Sequence, residues 1–114
     1  VFWMPHDRSQ QVLVRVSGRT PDDKTVVTLF SPARRTKKGF FRGLSKEDAI
    51  ELLRMNENVL FARFGIWESE KEFMIVASSD HILETFDAEE LKTHAMFVAL
   101  AADAYEAKHG GDEF

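Results

Sequence analysis

Residues 44–79, LSKEDAIELLRMNENVLFARFGIWESEKEFMIVASS, constrain the fold more than any other part of the chain. Ser45 and Asp48 form an S-x-x-D capping box, in which the hydroxyl accepts from the Asp48 backbone N–H and the carboxylate reaches back to Ser45. Ala49, Ile50, Leu52, Leu53 and Met55 then make the apolar side of a helix. Lys46, Glu47, Glu51 and Arg54 face outward, and Asn56-Glu57-Asn58 stops it. Residues 59–67 read as a strand that is apolar on both faces, with Leu60, Ala62, Phe64 and Ile66 on one and Phe61 and Trp67 on the other. Residues 68–72 are a polar turn, and 73–77 return as the partner strand. A strand apolar on both faces is central in its sheet or meets another subunit.

The flanking segments supply what that unit packs against. Residues 1–9 begin with the β-forming run VFWM, stopped by Pro5, and predict a short edge strand. Val12, Val14 and Val16 alternate with Leu13, Arg15 and Ser17, a period of two that predicts a strand with one buried and one mixed face. Gly18 to Asp23 is turn chemistry, and KTVVTLFSP predicts a second strand ended by Pro32, so 10–31 is an antiparallel hairpin. Residues 33–43, ARRTKKGFFRG, read as a basic loop with five cations and two aromatics. After a linker at 81–86, Asp87 and Glu90 repeat the capping logic. Leu91, Ala95, Val98, Ala102 and Tyr105 then recur at steps of four and three along one helical stripe. The expected order is β-β-β-α-β-β-α. That is a single α+β domain over 1–114, with an antiparallel sheet and two helices mainly on one face.

Length and composition set the outer limits. A chain of 114 residues can bury about two-thirds of its unfolded surface as one domain. It holds no apolar run long enough to span a membrane, and VFWMPHDRS is not a secretory leader. With no Cys there are no disulfides, Cys-ligated zinc or thiol nucleophile, which fits a cytoplasmic protein. The net charge of −4 argues against a general nucleic-acid binder.

Three motifs invite a chemistry. The terminal letters GGDEF match the signature of the diguanylate cyclases. In that family the motif sits on a hairpin inside a larger domain, whereas here it follows an Ala-rich helix. Residues 107–114 are therefore read as a helix C-cap at Gly110 and a frayed acidic tail. Ser78-Ser79-Asp80-His81 lines up a hydroxyl, a carboxylate and an imidazole, but triads assemble from separated segments, and neighbours on a strand point apart. His6, His81, His94 and His109 lie in four separate segments, so no metal, cofactor or nucleotide site is expected, nor catalytic residues. The third is the loop carrying Arg34, Arg35, Lys37, Lys38 and Arg42 with Phe40 and Phe41. It has the composition of a nucleic-acid clamp, or of an electrostatic guide for an acidic protein partner.

The helix ending L-L-x-x-N (Leu52, Leu53, Asn56), the F-A-R-F run (Phe61 to Phe64), the acidic turn, the apolar return strand and the D-x-E-E-L helix start (Asp87, Glu89, Glu90, Leu91) resemble the YbjN family. That family is similar in fold to the dimeric chaperones of type III secretion. The family pattern has a helix before the first strand, which this chain lacks; a trimmed N-terminus or a divergent member would account for that. The resemblance implies a non-catalytic module that binds proteins, commonly as a homodimer, in a regulatory role. The expected contact residues are Phe61, Trp67, Phe73, Phe40 and Phe41, with the basic loop as guide. Nucleic-acid binding through 34–42 is the alternative.

Overall fold

The structure is a computed structural model that describes residues 2–4, 8–38 and 44–109. Four strands form one antiparallel sheet: β3 (Leu13–Arg19), β4 (Thr25–Lys37), β5 (Arg63–Glu68) and β6 (Glu72–Ile82), in the order β3-β4-β6-β5. Two shorter strands, β1 (Phe2–Met4) and β2 (Arg8–Gln10), pair with each other in a separate ribbon. The helices are α1 (Lys46–Asn56) and α2 (Ala88–Lys108), the latter reached through a 3-10 turn at Leu83–Thr85. The class is α+β with antiparallel sheets, as the sequence pattern predicts, with one strand more than expected at the N-terminus.

Strand alternation divides the main sheet into two faces. The pairs Leu29–Ser79, Phe64–Ala77 and Ile66–Ile75 place those residues on the face that both helices cover. α2 lies over the long central strands β4 and β6, and α1 over β5. Leu29, Ala33, Ile75, Ala77 and Phe64 meet Leu52 from α1 and Ala95, Val98, Ala102 and Tyr105 from α2 in a single core. The alanines keep α2 close to the sheet, and burying a side chain such as Leu29 or Val98 contributes roughly 1.5–3 kcal/mol. Both helix starts form as read: Ser45 Oγ accepts from Asp48 N at 3.1 Å, with Ser45 N donating to Asp48 Oδ2 at 3.1 Å. Asp87 Oδ1 accepts from Glu90 N at 2.8 Å.

Several boundaries differ from the sequence pattern, each for an identifiable reason. Pro32 does not end β4. It sits at a bulge and beyond the last β3–β4 pair, Leu13–Phe30, where its missing N–H breaks no ladder with β3. β4 therefore carries Arg34, Arg35, Thr36 and Lys37 into register with Ile75, Met74, Phe73 and Glu72, so residues 33–37 of the expected basic loop are strand. β3 has no buried face: all of its residues are exposed, because it is an edge strand that neither helix reaches. β5 begins at Arg63, four residues late, because the chain turns sharply at Phe61. β6 runs to Ile82 and absorbs part of the expected linker.

The β1–β2 ribbon is tied down by polar contacts. Arg8 Nε meets Asp103 Oδ1 at 2.8 Å and its guanidinium lies 3.5 Å from Glu106, both on α2. Gln10, fully buried, donates through Nε2 to Ser31 Oγ at 2.8 Å and to the Pro32 carbonyl at 2.7 Å.

Candidate interaction surface

Of the expected contact residues, the described Phe61, Trp67 and Phe73 are not brought together. Trp67 lies on the helix-free face of the sheet, tilted against Phe30 at a ring distance of 4.8 Å, with the Arg15 guanidinium 4.0 Å from its centroid. Phe73 lies at the far end of β6, opposite Glu68, with Lys38 Nζ 4.9 Å from its ring. Phe61 stands at the mouth of β5. Phe40, Phe41, Arg42 and the terminal GGDEF letters fall outside the described residues.

Three cations of the basic segment, Arg34, Arg35 and Lys38, each meet an acid, and they are spread over both faces. Arg34 points to the helices, 3.2 Å from Asp48 Oδ1 and 3.3 Å from the Tyr105 hydroxyl. The Tyr105 hydrogen bond raises the Arg34 pKa against the opposing effect of burial. Burial pushes the Asp48 carboxyl up, but hydrogen bonds from Ser45 and Arg34 outweigh it and hold it below the usual range. Arg35 is 3.6 Å from Glu72, and Lys38 contacts Glu68. This is a structural charge network.

Strand alternation also takes apart the Ser78–His81 sequence. Asp80 faces outward, accepting from Thr28 Oγ1 and Arg63 at 2.6 Å each. Burial raises its pKa, and those two bonds more than offset that. Ser79 and His81 face α2, with Ser79 Oγ 2.8 Å from His81 Nε2. Asp80 therefore does not orient the imidazole as a triad would require. Among the described residues no three His, Asp or Glu side chains converge as metal ligands.

What the fold does assemble is an apolar band where the 57–62 connection runs beside α2. Phe61 has φ 61°, and the Ala62 N–H bonds back to the Leu60 carbonyl at 2.7 Å, a γ-turn with a bulky residue at its apex. A non-glycine residue held there costs of order 1–3 kcal/mol. The turn leaves Leu60 64% and Phe61 63% exposed while the Phe61 ring rests on His94 and Phe97, at 5.0 and 5.2 Å between centroids. Beside it runs a groove of about 270 Å³ lined by Asn58, Val59, Leu60 and the α2 residues Phe97, Leu100, Ala101 and Ala104. Met96 and Leu100 extend the band along α2, each more than 40% exposed.

Phe61 was expected as a contact residue; Leu60, Met96, Phe97 and Leu100 were not. Their signal was present in the spacing 97, 100, 101, 104, a second apolar stripe on α2 beside the one that enters the core. Neither a protein-family model, nor a curated protein, nor a solved structure matches the chain.

Proposed function

We propose that this domain is a non-catalytic protein-binding module, and that the first occupant of its apolar band is a second copy of the chain. The observation that carries the reading is the continuous exposure of Leu60, Phe61, Met96 and Leu100 around the α2 groove. Four large side chains exposed by about two-fifths to two-thirds present on the order of 350 Å² of apolar surface. In an isologous pair, with the usual share of polar rim, that corresponds to about 1,100 Å² buried in total, the low end for a specific interface. The dimer is accordingly a reversible one. The likeness of the sequence to the YbjN family, with its secretion-chaperone-like fold and homodimers, supports the same reading. The seating of Arg34, Arg35 and Lys38 against Asp48, Glu72 and Glu68 favours this reading over nucleic-acid binding through 34–42.

Sedimentation velocity over a concentration series tests it. The wild type should shift toward twice the monomer mass, and Leu100→Glu should remain monomeric at every concentration. A wild type that stays monomeric at millimolar concentration, or a Leu100→Glu variant that dimerises equally well, overturns the second copy as occupant.

A further inference from the structure

Beneath the Phe61 turn lie two imidazoles from different elements. His81, near the end of β6, and His94, on the second turn of α2, have ring centroids 4.4 Å apart. His81 stacks flat on Phe86 at 4.3 Å, and His94 meets the Phe61 ring edge-on. The four rings form one stack that joins the end of the sheet, the 3-10 turn, α2 and the strained turn. We infer that the His81–His94 contact is an acid-operated latch: with His81 neutral the stack holds α2 and the Phe61 turn against the sheet, and protonation of His81 releases them.

The chemistry follows from what surrounds the pair. An imidazolium at His81 sits against the Phe86 and His94 rings inside a partly dry contact, where its charge is poorly solvated. Nδ1 of His94 is buried without a hydrogen-bond partner, so a proton placed there would be a donor with no acceptor. Burial first, and the neighbouring His94 second, lower the His81 pKa. Few opposing charges lie near enough to compensate. On β6, Asp80 faces away and is engaged by Thr28 and Arg63, though it raises the His81 pKa in part. On β4 the residue paired with His81 is Val27. On the 3-10 turn the Glu84 carboxylate is held by Thr25 N at 2.9 Å. On α2, Glu90 lies one turn before His94 and is exposed, and from the 57–62 connection the neighbour is Phe61. His81 is part-exposed, so protons reach it.

The effect on binding, an altered apolar band in acid, rests on the protein-binding reading above; the latch itself does not, and its test uses no partner. Hydrogen exchange of the Ala62 amide and of the amides at 94–97, corrected for intrinsic rates, is compared at about pH 7.5 and pH 5. Protection in the wild type should fall about tenfold or more in acid, and less than about twofold in His81→Phe, which keeps a ring in the stack. Unchanged wild-type protection, or an equal fall in the variant, overturns the latch. If His81→Phe does not fold, the wild type still decides it. The Phe61 and Phe97 ring resonances must shift with the same midpoint as an imidazole, and rings that ignore that titration refute the proposal.

Discussion

Replacing Phe61 by Ala and by Gly separates what its ring contributes from what its backbone costs. At most helix or strand positions Ala is more stabilising than Gly by about 0.5–1 kcal/mol, because Gly loses more freedom on folding. At φ 61° the order should invert. A Cβ in the left-handed region costs roughly 1–2 kcal/mol, which Gly avoids entirely. Both variants lose the ring equally. With 63% of the residue exposed, only a little over a third of a full Phe→Ala penalty applies, about 1–1.5 kcal/mol. Phe61→Ala should therefore be destabilised by about 1–1.5 kcal/mol, and Phe61→Gly should stay within about 0.5 kcal/mol of the wild type. Urea unfolding reads this directly: at a slope of about 2 kcal/mol per molar, the Gly variant should unfold about 0.5 M later than the Ala variant. Equal slopes are required for the comparison. An Ala variant as stable as the Gly variant would show that residue 61 is not held at positive φ, and the argument for stored strain would fail.

The other predictions concern the ribbon and acid stability. Asp103→Ala leaves the part-buried Arg8 guanidinium without its 2.8 Å partner and should cost about 1–2 kcal/mol, less than a fully buried pair because Arg8 keeps some solvent. Exchange protection should fall first in β1 and β2; an evenly distributed loss would contradict local anchoring. Stability should decline with acid in two windows. The His81 pKa is lowered on folding, so the unfolded chain takes up that proton first, and stability begins to fall as pH drops below 6.5. The folded-state pKa values of Asp48, Asp80 and Glu51 are also lowered. Their contribution is present above the unfolded carboxylate range, about pH 4, and is lost as pH falls through the folded values. Thermal unfolding from pH 8 to pH 3 checks both, and His81→Phe should remove the upper window alone.

Local chemistry was legible wherever neighbours in sequence decide it. The Ser45 capping box and the Asp87 cap form as their spacing requires, because each needs only residues three apart. The expected stripe enters the core at 95, 98, 102 and 105 for the same reason, since helical period alone puts those side chains on one side, while Leu91 in the first turn stays exposed. Composition does not decide a segment whose fate depends on what lies beside it. ARRTK has the composition of a loop, yet it is strand because β6 is long enough to pair with it as far as Glu72. The alternating valines of β3 have the pattern of a buried face, yet they stay exposed because α2 lies over β4 and β6.

The candidate site shows the same division. The sequence by itself determined the helix starts, the antiparallel α+β class and the apolar character of 59–67, all properties of short-range periodicity and hydrogen-bonding groups. Only the tertiary structure decided that Trp67 and Phe73 would be separated from Phe61, that Arg34, Arg35 and Lys38 would meet acids, and that His81 would find His94. Those outcomes depend on which residues a sheet register and a helix crossing bring within a few ångströms, and no period along one strand or one helix contains that information.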